Sequence, residues 1–232
     1  MNFFAFQLAG AALRALPSGG LWWPGADLLC VSDLHLGKAE RMARRGGPML
    51  PPYEVRDTLG RLEQDLAATG AGTVICLGDS FDDLDAAHAL PPAERAWLER
   101  LVAPRRWIWA EGNHDPDPVP FGGSHAAEVL RAPLVFRHIA RPPGGDGAGT
   151  PDSGGALAEV SGHYHPKARV NLRSQRITRP CFLLDRKRLI LPAYGTYTGG
   201  LFSHAAPLSA LMDDPAVAIL CGPAPCAVPM PR

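Results

Sequence analysis

The chain has 232 residues, 46% hydrophobic and 20% charged, with 23 Lys and Arg against 23 Asp and Glu. That balance excludes a disordered or fibrous protein and allows one large domain or two small ones. The formal net charge is zero, so any attraction for nucleic acid or a membrane surface must come from a local patch.

The five cysteines include no CxxC pair. Cys30 and Cys76 lie inside apolar runs, where Cys behaves as a small hydrophobe, so a reducing cytoplasm is expected rather than a disulfide framework. The apolar stretch Phe3 to Leu13 has no positive charge ahead of it and is closed by Arg14, so no secretory signal is expected. No run approaches the ~20 apolar residues of a membrane span.

In chain order, residues 2–16 read as a first strand with a following turn, ended by Pro17-Ser18-Gly19-Gly20. Leu21-Trp22-Trp23-Pro24 reads as a short edge strand, because Pro cannot donate to a ladder. Asp27 to Ser32 is a continuous apolar run, as in a strand buried on both faces. It delivers Asp33-Leu34-His35. In an extended segment alternate residues point the same way, so Asp33 and His35 can hold one ion.

Leu36 to Leu50 reads as a basic loop at the rim of that site, with Lys38, Arg41, Arg44 and Arg45 as candidate substrate-binding residues. The plainer reading is a solvated charge run, or one paired with the acidic residues Asp82, Asp83 and Asp85. Pro51-Pro52 opens a helix through about Ala68, with Val55, Leu59, Leu62 and Leu66 near helical spacing. Thr73 to Leu77 is the next buried strand. It delivers Gly78-Asp79 and an acidic run, Asp82, Asp83 and Asp85, of the kind that caps helix N-termini.

A helix is expected from about Pro92 to Leu101, then a strand to Ala110 and the tetrapeptide Gly112-Asn113-His114-Asp115. Clustered polar side chains past a strand end are where α/β proteins place their chemistry. Residues 116–132 read as irregular. Leu134 to Ile139 alternates like a strand and carries His138. Residues 141–155 are low in complexity and read as a flexible surface loop. Leu157 to Ser161 leads into Gly162-His163-Tyr164-His165-Pro166. Strands are expected at 168–172, 181–185, 189–193 and 217–220, and residues 222–232 are expected to fray. His88, His125 and His204 read as structural or surface.

Collected in order, the strand-end groups are Asp33, His35, Asp79, Asn113, His114, His138, His163 and His165. Carboxylate, imidazole and amide oxygen suit divalent ions such as Mn, Fe, Zn or Mg. The donors are too many for one tetrahedral zinc and sufficient for two ions sharing a carboxylate. Two metals ~3.5–4 Å apart clamp a phosphoryl centre and lower the pKa of a bound water.

This ordered set resembles the calcineurin-like metallophosphoesterases. Asp33 to Lys38, Arg45-Gly46-Gly47-Pro48 with Leu50-Pro51-Pro52, Gly78-Asp79-Ser80-Phe81, and Pro192 to Gly195 with Gly199-Gly200-Leu201 are similar to the ligase-associated DNA-damage-response endonuclease PdeM group. The resemblance implies a single-domain αββα sandwich, two central mixed sheets flanked by helices. It implies metal-dependent phosphodiester hydrolysis, most simply in nucleic acid, with a bacterial DNA-repair role beside a ligase and a helicase. By position, Asp33, His35 and His165 would hold one metal; Asn113, His138 and His163 would hold the other; Asp79 would bridge. His114 would sit beside the phosphate and Asp115 would orient it. Manganese is the first choice of ion. The alternatives are a phosphomonoesterase or nucleotide pyrophosphatase on the same core, and a non-enzymatic binding scaffold.

Overall fold

The computed structural model describes residues 2–142, 157–172 and 175–232. The first sheet begins with three short antiparallel strands, β1 (Phe4–Leu8), β2 (Ala11–Ala15) and β3 (Leu21–Trp23). The expected single strand over 2–16 is thus a hairpin, turned at Ala9-Gly10 where both residues have positive φ. β3 is not an edge strand. It pairs with β2 on one side and β4 (Leu28–Val31) on the other, because Pro24 falls past its end and opens a 3-10 turn, Pro24–Ala26.

From β4 the sheet continues in parallel through β5 (Thr73–Leu77), β6 (Arg106–Ala110) and β7 (Ser124–Ala126). The crossovers carry α1 (Lys38–Arg44), α2 (Glu54–Thr69), α3 (Leu84–His88) and α4 (Pro92–Val102). The basic stretch expected as a loop therefore contains helix α1, which carries Lys38, Arg41 and Arg44. Asp83 caps α3, its carboxylate accepting from the Ala86 N–H at 2.8 Å.

The second sheet runs β15-β14-β12-β13-β10-β9-β8, with β11 paired to β12. Its strands are β8 (Glu128–Arg131), β9 (Leu134–Arg137), β10 (Ala158–Ser161), β11 (Lys167–Leu172), β12 (Gln175–Leu184), β13 (Arg188–Ile190), β14 (Val217–Leu220) and β15 (Cys226–Pro229), with helix α5 (Ala206–Leu211) before β14. Two further expectations change here. β7 and β8 occupy part of the stretch read as irregular. β15 pairs with β14 where the tail was expected to fray, and the Met230 N–H bonds to the Ala216 carbonyl at 3.0 Å. The loop expected over 141–155 lies, beyond residue 142, outside the described residues.

Period-two alternation explains the four layers. In β4, β5 and β6, Leu29, Val31, Val74, Cys76, Trp107 and Trp109 face α2 and α4, where Leu59, Leu62, Leu66 and Leu98 complete one core. Their neighbours Leu28, Cys30, Ile75, Leu77 and Ile108 face the second sheet and meet Leu134, Phe136, Val160, Phe182 and Leu189. A third cluster packs Leu183, Ile190 and Ala218 against Leu208 and Met212 at α5. The fold is an αββα sandwich. All five cysteines are free thiols. Among the described residues no helix is long and apolar enough to cross a membrane.

Candidate metal centre

The parallel strands of both sheets end at the same rim. β4 delivers Asp33 and His35, β5 delivers Asp79, and β6 delivers Asn113 and His114. From the second sheet, β9 delivers His138 and β10 delivers His163 and His165. Backbone bonds stitch these loops together. The His35 N–H donates to the Asp79 carbonyl at 2.9 Å, and the Gly162 N–H to the His138 carbonyl at 2.9 Å. The Tyr194 and Gly195 N–H groups, past β13, donate to the carbonyls of Ser32 and Asp33 at 2.8 and 3.0 Å.

The backbone here is bent against its preference. Eight non-glycine described residues have positive φ, and five of them are Asp33, His35, Asp79, His163 and His165. Left-handed backbone costs a side-chain-bearing residue about 1–3 kcal/mol and persists where surrounding bonds over-determine it. Close approach also demands glycine. Gly78 has φ +76, and a Cβ there would collide with the His138 ring; one on Gly162 would strike Ser32 Oγ.

Two donor clusters result. Ligand atoms of Asp33, His35 and His165 lie within 4.8 Å of one another, as do those of Asp79, His138 and His163. In the first, His165 Nε2 is 3.2 Å from Asp33 Oδ1 and 3.4 Å from His35 Nε2. In the second, His138 Nε2 is 3.3 Å from Asp79 Oδ2, 3.2 Å from His163 Nδ1 and 3.0 Å from Asn113 Oδ1. Asp79 also reaches toward the first cluster, with Oδ2 4.0 Å from His35 Nε2.

The proton positions of two rings bear on whether metal fits. His138 Nδ1 donates to the Leu77 carbonyl at 3.0 Å, and His35 Nδ1 faces Asp82 Oδ1 at 2.9 Å. The Nε2 lone pair of a neutral His138 then points inward, and the Nε2 edge of His35 faces the same space, among carboxylate and amide oxygens that are themselves acceptors. One added proton can serve one such neighbour; a cation serves all of them. The donor set of carboxylate, imidazole and amide oxygen therefore fits divalent metal.

Charge is tuned accordingly. Burial pushes the Asp33 carboxyl up, but the His165 ring bonded to it outweighs this and holds it below the usual carboxylate range. Asp79 is likewise pushed up by burial and pulled well down by His138 and the His114 N–H. His138, despite burial that favours the neutral ring, is raised to about 8 by Asp79 and Asp33. His163 is lowered by burial and by the charge of His138.

His114 is anchored twice. Its N–H donates to Asp79 Oδ1 at 2.9 Å and its ring Nδ1 to the Asp82 carbonyl at 2.7 Å, which leaves Nε2 as the other ring nitrogen. Its ligand atom also lies within 4.8 Å of those of His35 and Asp79. Asp115 does not touch the His114 ring as expected. Its Oδ2 accepts from the Ser80 and Phe81 N–H groups at 2.7 and 3.1 Å, tying the Asn113 loop to the Asp79 loop. Burial and the nearby Asp79 charge push its pKa up to about 7, against those two amides.

Asp82 was missed as a site residue because it sits in a run of acids. Its side chain is fully buried, and it holds His35. Burial pushes it up, but His35, Lys38 and Arg41 bring it down to about 2.

Lys38, Arg41, Arg44 and Arg45 face that acidic run. Lys38 Nζ lies 3.7 Å from Asp82, Arg41 2.9 Å from Asp82, Arg44 2.8 Å from Asp83 and 3.2 Å from Asp85, and Arg45 3.4 Å from Asp83. The charge expected at the rim for substrate is engaged within the fold.

Residues 26–185 match the calcineurin-like phosphoesterase family. The chain belongs to that family. It is a metal-dependent phosphoesterase. Among solved structures it is similar to the nuclease MPE of Pseudomonas putida, at 27% identity over 97% of this chain and 100% of that one, with a TM-score of 0.72. YfcE, a phosphoesterase from E. coli, aligns at 14% identity over 88% of this chain and 99% of the other, with a TM-score of 0.39. A comparison with curated proteins gives no match.

Proposed function

We propose that this enzyme hydrolyses phosphodiester bonds in nucleic acid with two divalent ions. Asp33, His35 and His165 hold one ion, Asn113, His138 and His163 the other, and Asp79 lies between both. The observation that carries the reading is the pair of acceptor clusters around His35 and His138 with Asp79 in reach of each. Likeness to a nuclease over nearly the whole of both chains supports the substrate class.

Two such ions, when bound, supply charge for the phosphoryl oxygens and an acidified water. The chain's own contribution is orientation and a proton. The close Asp82 carboxylate positions the His35 ring and the Leu77 carbonyl fixes the His138 ring, so each presents Nε2 inward. The two bonds to His114 occupy its N–H and Nδ1 and hold the ring beside the His35 and Asp79 ligand atoms, where Nε2 can donate a proton to a leaving oxygen. The same reading extends to a single-domain cytoplasmic bacterial protein using manganese and acting in DNA repair beside a ligase and a helicase. The free thiols and the resemblance to the PdeM group support that extension.

Asp79→Asn tests the assignment most directly. An amide supplies neither the charge nor a second strong oxygen donor. The expected result is loss of at least one metal by elemental analysis and of nearly all turnover. Retention of both ions with near-normal rates refutes the bridging role. Chelation should abolish activity on a diester dye, and manganese should restore it. Faster turnover of a monoester than of a diester would favour the phosphomonoesterase reading.

A further inference from the structure

With the α1 cations engaged by acids, the basic surface left at the rim is elsewhere. Between Glu159 and Asp185 the sequence has no Asp or Glu, yet it carries Lys167, Arg169, Arg173, Arg176 and Arg179. In a chain of zero net charge this is a concentrated local field. β11 and the first half of β12 form a hairpin that starts two residues after His165. Among the described residues, Lys167, Arg169, Arg176 and Arg179 have no ion-pair partner, unlike Arg137 and Arg141 on the opposite side of the centre, which pair with Glu128.

Register sorts these side chains. Cross-strand partners share a face, and Lys167 pairs with Pro180, Arg169 with Thr178 and Asn171 with Arg176. Lys167, Arg169 and Arg176 therefore lie on one face, spaced along β11 by about 6.6 Å per two residues. Arg179 pairs with buried Ala168 and belongs to the other face.

An aromatic pair sits under that face. Phe202 is bridged to Lys167 by backbone pairing, with the Lys167 N–H on the Leu201 carbonyl at 2.9 Å. Lys167 Nζ lies 4.7 Å and the Arg169 guanidinium 4.4 Å from the Phe202 ring centroid. The exposed His204 ring stacks on Phe202 at 5.4 Å and 9°. Cations held by an aromatic ring are pre-organised, and an exposed stacked ring is a platform for a base. A groove of about 140 Å³, lined by His165, Lys167, Thr178 and Thr198 among others, joins this face to the metal centre.

We propose that this outer face of the β11–β12 hairpin, with Lys167, Arg169, Arg176 and the Phe202–His204 stack, is the track that holds the nucleic-acid strand flanking the scissile phosphate. It rests on the phosphodiesterase reading above for the chemistry at its end. Continuity with His165 and the aromatic platform favour a nucleic-acid strand over an anionic membrane, which would need no groove to the centre.

The test compares the wild type with Arg169→Ala/Arg176→Ala and with His204→Ala, all at exposed positions, in manganese. Rates on a small diester dye should be unchanged. For a short single-stranded oligonucleotide, KM should rise about tenfold with kcat retained, and for the double variant the slope of log affinity against log salt should shrink by about 1.4. His204→Ala should raise KM with the slope unchanged, since a stacking loss is not a charge loss. Unchanged KM and slope overturn the proposal. Equal losses on dye and oligonucleotide also overturn it, because the hairpin would then support the centre itself. So does a variant that loses binding to phosphatidylserine vesicles but not to the oligonucleotide. Anisotropy with the oligonucleotide in chelator separates the two readings. If no diester is hydrolysed but binding still depends on the hairpin, the catalytic reading fails and the track stands. No binding at low salt refutes the track whatever the activity.

Discussion

His35 Nδ1 lies 2.9 Å from Asp82 Oδ1, with both side chains almost wholly buried. That contact sets the Nδ1 edge of the His35 ring against a buried carboxylate and turns its Nε2 edge toward the centre. Asp82 is itself held by Arg41 at 2.9 Å and by Lys38 at 3.7 Å. A chain of charge thus runs from α1 through Asp82 to a candidate ligand.

Asp82→Ala should lower metal affinity or turnover by about 10–100-fold, the usual effect of removing a ligand's outer partner. Asp82→Asn keeps the shape of the side chain beside His35 and loses only its charge, so it should lose less. Calorimetric titration of the metal-free protein with manganese checks both. Wild-type affinity in the alanine variant would show that His35 needs no such support.

His114→Ala should leave metal content near two per chain while turnover falls by about 10²–10⁴, the range for a positioned acid–base group. The loss should shrink for a diester with a very good leaving group. Because the His114 ligand atom also lies near those of His35 and Asp79, metal content is the deciding measurement. Metal lost together with activity would make His114 a ligand.

Asp65 on α2 accepts from Ser18 Oγ at 2.5 Å and from the Tyr194 hydroxyl at 2.9 Å, below the loop that bonds to Ser32. Burial pushes its carboxyl above the ordinary range despite both bonds. A raised folded-state pKa means the folded chain holds the proton longer than the unfolded chain, whose value is about 3.9. Its contribution is therefore largest below the unfolded value and falls as pH rises through the folded one. Asp65→Asn lacks this titration. The stability of the wild type relative to the variant should decline as pH rises above the unfolded value of about 3.9. Urea unfolding at a series of pH values measures it; a constant difference would mean that Asp65 titrates as if unfolded.

The candidate centre was legible because each of its parts is local. Asp33-Leu34-His35, Gly112-Asn113-His114 and Gly162-His163-Tyr164-His165 each follow a short strand buried on both faces, and the end of that continuous apolar run marks where the polar groups begin. What stayed hidden depends on distant partners. Asp82 looks like its acidic neighbours until Phe81 packs at 0% exposure and draws it inside. β7, with three residues, and β15, a four-residue strand set among prolines, are too short to announce themselves and form by adding to an existing edge. Asp115 was expected to orient His114 from the family resemblance, whereas its carboxylate accepts from the Ser80 and Phe81 amides.

The same distinction governs the arginines of α1. Lys38, Arg41, Arg44 and Arg45 looked like a rim for a polyanion because they follow Asp33 and His35 in sequence. In the fold, Asp82, Asp83 and Asp85 arrive from the β5–α3 loop and take up those charges. Arg44 also pairs with Glu40 on its own helix at 3.0 Å. Reversing charge there puts new carboxylates against Asp83 rather than removing a contact to substrate. Arg44→Glu with Arg45→Glu should therefore lower the thermal midpoint and loosen α1 over Asp82, while the salt slope for a short oligonucleotide stays at the wild-type value. Turnover of a small diester should fall in step with turnover of the oligonucleotide, since both depend on His35 being held. Melting curves, two substrates and a salt series distinguish the cases. A flattened salt slope with unchanged dye hydrolysis would return the polymer contact to α1.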